Sequence, residues 1–84
     1  MFVSSAPSPH VVALARTIRA LRRERGLSQE ALAAAAGINA KHLSEIERAN
    51  KEPRATTIAR IAHALGLSPA ELYAHALGTP PGAS

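Results

Sequence analysis

The sequence predicts an all-α fold of five short helices, and three observations carry that expectation. Apolar residues recur at helical spacing from residue 10 to residue 77, glycines at 26, 37, 66 and 78 interrupt the pattern, and no stretch alternates apolar with polar residues as a strand would. Nineteen of the 84 residues are alanine, which favours helix but buries little volume. The core therefore falls to a short list of leucines, isoleucines and valines. A chain of this size forms one domain and buries only about 60% of its unfolded surface, so a second subunit would help to stabilise it. Residues 1–9 and 78–84 are rich in Ser, Pro and Gly without periodicity and are expected to be tails around a domain at 10–77.

Helix 1 is expected over 10–25, with Val11, Leu14, Ile18 and Leu21 on one face and Gly26 ending it. Helix 2 follows over 29–36. Ser28 is its N-cap, Glu30 lies where the helix dipole favours negative charge, and Leu27 staples to Leu32 across the cap. Helix 3, over 40–47, repeats that start with Asn39 as N-cap and Ile38 stapled to Leu43. Helix 4, over 55–65, buries Ile58, Ile61 and Leu65 before Gly66. It begins poorly, with Arg54 at the cap position and Thr56 as a substitute if the helix starts later. Helix 5 opens on Ser68-Pro69-Ala70-Glu71, a capping box with proline at the first helical position, and stops at Gly78 before two prolines.

Helices 2 and 3 are so close in sequence that they must meet around a tight turn. Two helices cross there at short range only if a small residue lies at the crossing and a flexible one in the turn, and Ala33 and Gly37 supply these. Leu32, Ile38, Leu43 and Ile46 fall at the spacings that fill the wedge between the pair and the rest of the domain. The formal charge is +4, and Arg16, Arg19, Arg22, Arg23 and Arg25 crowd into ten positions, which suits a polyanionic partner or a solvated face.

Several function classes are disfavoured. Without cysteine there is no disulfide framework, thiolate metal site or cysteine nucleophile. Histidines 10, 42, 63 and 75 show no ligand spacing, no serine has a recognisable base and orienting acid, and no glycine-rich phosphate loop occurs, so neither a metal, a cofactor nor catalysis is expected. No signal peptide or membrane-length apolar run is present, and the cytoplasm is the expected compartment.

The segments LRRERGLSQEALAAAAGI, HLSEIERANKEP and IARIAHALGLSPAELY, together spanning about Leu14 to Tyr73, resemble the lambda-repressor-like or XRE helix-turn-helix domains of phage repressors and bacterial regulators. That resemblance implies a compact five-helix domain whose third helix enters the major groove of double-stranded DNA. On matching positions it implies base contacts from Asn39, Ala40, Lys41, Ser44 and Glu45. Lysine suits guanine, asparagine adenine, glutamate the cytosine amino group, and alanine a thymine methyl. It implies phosphate contacts from Ser28, Gln29, Asn50, Lys51 and Arg54, with Arg19, Arg23 and Arg48 adding attraction and His42 near a phosphate. It also implies a structural ion pair between Arg22 and Glu47. A homodimer is expected through helix 5 and the loop before it, with Leu67, Tyr73 and Leu77 as interface residues and Val12 and Phe2 as further apolar candidates.

The functional expectation is a transcriptional regulator that binds a palindromic operator as a homodimer. Its compactness is similar to restriction-modification controllers and to small antitoxins that repress their own operon. With no room for a ligand domain, control by concentration, a protein partner or cooperative binding is expected. The competing expectation is a protein-interaction module that has lost DNA binding. Such a module should carry apolar residues on the reading face, where Asn39, Lys41, Ser44 and Glu45 are polar here. Two departures from the family pattern bear on the loop after helix 3: Ala49 replaces a frequent glycine, and Arg54 a frequent small cap residue.

Overall fold

The computed structural model describes residues 7–78; of the expected tails at 1–9 and 78–84, residues 1–6 and 79–84, Phe2 included, lie outside the described residues. Five helices follow one another: α1 (Pro9–Glu24), α2 (Gln29–Ala36), α3 (Ala40–Glu47), α4 (Ala55–Ala64) and α5 (Pro69–Leu77). No strand occurs among the described residues. α1 packs on α3 and α5, α2 packs on α3 and α4, and α4 packs on α5. The core they enclose is built from Leu14, Ile18, Leu21, Leu32, Leu43, Ile46, Ile58, Ile61, Leu65 and Leu72, as the apolar spacing requires. Ala33 is buried at the α2 crossing, where a larger side chain would hold the helices apart.

Helix starts obey local chemistry. Ser28 Oγ accepts from the Ala31 amide, Asn39 Oδ1 from the Lys41 amide, and Ser68 and Glu71 form the reciprocal capping box. α1 begins one residue earlier than expected, because Ser8 caps it through the Val11 amide and Pro9 takes the first helical position. α4 starts at Ala55 with no side-chain cap bond, so Thr56 lies inside its first turn and does not replace Arg54.

Helix ends share one device. The amides of Leu27, Ile38, Asn50 and Leu67 reach back to the carbonyls of Arg22, Ala33, Glu45 and Ala62, each across a residue with left-handed backbone. In three of these junctions the sequence reads glycine, aliphatic, then Ser or Asn: Gly26-Leu27-Ser28, Gly37-Ile38-Asn39 and Gly66-Leu67-Ser68. One three-residue unit thus stops a helix, plants an apolar anchor and caps the next helix. At the fourth junction the left-handed residue is Ala49, with φ +59°, so the loop after α3 keeps the glycine-type geometry despite carrying a Cβ.

Candidate nucleic-acid interface

α2 and α3 are held at both ends of α2. At its C-terminal end Gly37 adopts φ +70°, and a Cβ there would meet nothing closer than 3.9 Å. Backbone conformation, not lack of space, therefore demands glycine. At its N-terminal end a buried polar network ties α2 to α3 and α1. Arg22 donates from Nε to Glu47 Oε2 at 2.7 Å and from Nη2 to Glu47 Oε1 at 3.0 Å, and its Nη1 donates to the Leu27 carbonyl at 2.8 Å. Gln29 Nε2 donates to the same Glu47 Oε1 at 3.1 Å. The two charged side chains are 10% and 2% exposed, and no buried side-chain polar atom among the described residues lacks a partner. The bond to Glu47 holds the Arg22 guanidinium above its already high ordinary pKa, so the guanidinium stays charged. The ion pair implied by the resemblance is thus present. It fixes the last residue of α3 against α1, and the Gln29 bond fixes the same residue against the start of α2.

This scaffold leaves the start of α3 exposed at Asn39 and Lys41, with Ala40, Ser44 and Glu45 half-buried. Capping occupies Asn39 Oδ1 with the Lys41 amide at 2.7 Å. While it caps, Asn39 keeps its amide donors and the second lone pair of Oδ1 for a base, so a two-point contact with adenine shares that oxygen with the Lys41 amide. Ala40 packs partly on the core, so little of its methyl is open. Lys41, exposed and reaching outward from the first turn, is the freest of the five expected readers.

The expected phosphate residues fall in two groups. At the N-terminus of α2, Ser28 Oγ satisfies the Ala31 amide, while the amides of Gln29 and Glu30 have no backbone partner among the described residues and carry the positive end of the helix dipole. The Gln29 side chain is turned inward to Glu47, which leaves the backbone amide as the unpartnered donor at this position. Beyond α3, Arg48, Asn50, Lys51 and Arg54 are exposed along the loop, as are Arg19 and Arg23 on α1. His42 is half-buried.

On α5, Tyr73 and Leu77 are the exposed large apolar residues, at 43% and 58%, and Leu67 is half-buried against the core. Val12 is half-buried on α1. Among the described residues no cluster of His, Asp and Glu could hold a metal ion, and no helix is long and apolar enough to cross a membrane.

Two arginines act where sequence reasoning gave them no role. Arg25 donates from Nε to the Leu65 carbonyl at 2.8 Å, closing the end of α4, and Arg60 places Nη1 at 3.5 Å from the Gly37 carbonyl in the α2–α3 turn. Both contacts join residues far apart in sequence, and no local pattern marks them.

Two short helices crossing at a small residue, joined by a glycine turn and packed in a five-helix domain, define a helix-turn-helix protein. The sequence matches the profile of the helix-turn-helix domain family over residues 13–81, and the chain belongs to that family, in its XRE or lambda-repressor-like branch. The uncharacterised HTH-type transcriptional regulator y4dJ of Sinorhizobium fredii is 42% identical over 60 residues, 71% of this chain and 78% of that protein. The crystal structure of the clp gene regulator ClgR from Corynebacterium glutamicum superposes with a TM-score of 0.77 at 35% identity, covering 82% of this chain and 73% of ClgR. The restriction-modification controller protein C.AhdI from Aeromonas hydrophila gives a TM-score of 0.71 at 34% identity, covering 74% of this chain and 94% of C.AhdI.

Proposed function

We propose that the chain is a non-enzymatic, cytoplasmic transcriptional regulator that binds a palindromic operator in double-stranded DNA as a homodimer. The observation that supports this most directly is that the α2–α3 pair carries an exposed, polar first turn of α3, with Lys41, and, at the other end of α3, the unpartnered N-terminal amides of α2. A reading surface and an anion-binding surface are thereby carried by one rigid pair of helices. Tyr73 and Leu77 supply the apolar area for a two-fold contact through α5, with Leu67 beside them. In the dimer the two α3 helices would enter successive major grooves about 34 Å apart. A controller-type autoregulator is the more specific reading, favoured by the match across 94% of C.AhdI.

Selection of bound sites from a random duplex library tests the proposal. Recovery of a palindrome with half-sites about one helical turn apart is expected, together with sedimentation as a dimer that Leu77→Glu converts to a monomer. Binding that ignores sequence would refute operator recognition and favour a protein-interaction role. A monomer that still selects a palindrome would refute the α5 interface.

A further inference from the structure

α2 spans from one end of α3 to the other. Its first residue, Gln29, bonds to Glu47 at the end of α3, and its C-terminal turn runs through Gly37 into Asn39 at the start of α3. Its eight residues give it a length of about 12 Å, which is also about the width of the DNA major groove. A helix seated in that groove has a phosphate strand on each side. On the side of the α3 C-terminus, cations and donors are plentiful: the open α2 amides, Arg48, Lys51 and Arg54. On the side of the α2–α3 turn, residues 37–39 are Gly, Ile and Asn and bring no charge.

Arg60 brings it from α4. Its side chain is exposed, and its bond to the Gly37 carbonyl, at 3.5 Å, engages one of the five donors of a guanidinium. Arg22–Glu47 is the ion pair among the described residues, so no carboxylate neutralises Arg60. We propose that Arg60 is a phosphate-binding residue outside the helix-turn-helix, gripping the strand on the N-terminal side of α3 while the α2 amides and the loop after α3 hold the other. The inference rests on the DNA-binding reading above. Arg60 also faces the C-terminal carbonyls of α2, a structural role that would support the turn without touching DNA.

Salt dependence separates the two roles. The wild-type chain, Arg60→Gln and Arg60→Lys are titrated by fluorescence anisotropy with the selected duplex and with a scrambled duplex of equal length, over a series of salt concentrations. Arg60→Gln is expected to weaken both duplexes by a similar factor, about tenfold per subunit, and to lower the slope of log K against log salt by about one per subunit. Arg60→Lys is expected to keep the slope. Unchanged affinity overturns the proposal, and so does weaker binding with an unchanged slope, the mark of a residue that only props the turn. Failure of the wild type to bind either duplex overturns the DNA-binding reading itself, and that titration alone reveals it.

Discussion

Replacing Arg22 by methionine keeps most of the side-chain volume but removes the guanidinium that holds Glu47. Three donated bonds disappear, at 2.7, 3.0 and 2.8 Å, and a carboxylate that is 2% exposed is left with the Gln29 amide alone. Breaking a buried ion pair from one side costs about 3–5 kcal/mol, because the remaining charge has lost both water and partner. Since Gln29 still donates to Oε1, the lower end applies, about 3 kcal/mol. For a domain of this size that lowers Tm by roughly 12–24 °C. Thermal and urea unfolding followed by circular dichroism measure it, with the double variant Arg22→Met/Glu47→Leu as the control. An apolar pair of similar volume should recover more than half of the loss, since neither charge is then buried. A loss below about 1 kcal/mol, or a double variant whose loss is the sum of the two single losses, would refute the view that Arg22 serves to compensate Glu47.

Two further predictions follow from the backbone and from the caps. Ala49→Gly relieves a left-handed alanine and should raise stability by about 0.5–1 kcal/mol in urea unfolding, the gain being reduced by the greater freedom of glycine in the unfolded chain; a loss of stability would contradict the strain. The Ser68 backbone amide, followed by the Ser68 hydroxyl, holds the Glu71 carboxyl below its usual value of 4.5. Because the folded value is the lower one, the capping box contributes fully above about pH 4.5, and its contribution fades as pH falls through the depressed value. The protection of α5 amides, taken relative to their intrinsic exchange rate at each pH, should fall over that range and lose this dependence in Glu71→Gln, and identical profiles for the two chains would contradict it.

What the sequence revealed is what short-range chemistry controls. Ser28, Asn39 and Ser68 act on amides two or three residues away, and the glycines at 26, 37 and 66 set a single backbone angle each, so all were legible from local pattern. Ser8-Pro9 carried the same signal as Ser68-Pro69 but stood in a stretch of prolines and serines without periodicity, which hid the first turn of α1. The Arg22–Glu47 pair spans 25 positions and came only from the family resemblance. Gln29–Glu47, Arg60–Gly37 and Arg25–Leu65 span 18, 23 and 40 positions, so they depend on tertiary packing that a charged residue on a helix does not announce. The same holds for the half-burial of Ala40, which follows from how α3 settles on the core.

Base reading by the exposed first turn of α3 is checked by comparing the binding-site profiles of the wild type and Lys41→Ala. The variant is expected to lose preference at the same base pair in both half-sites, by about 1–3 kcal/mol, while its other preferences persist. A profile unchanged in shape, with all sequences weakened alike, would make Lys41 a phosphate contact and place base reading elsewhere on the protein.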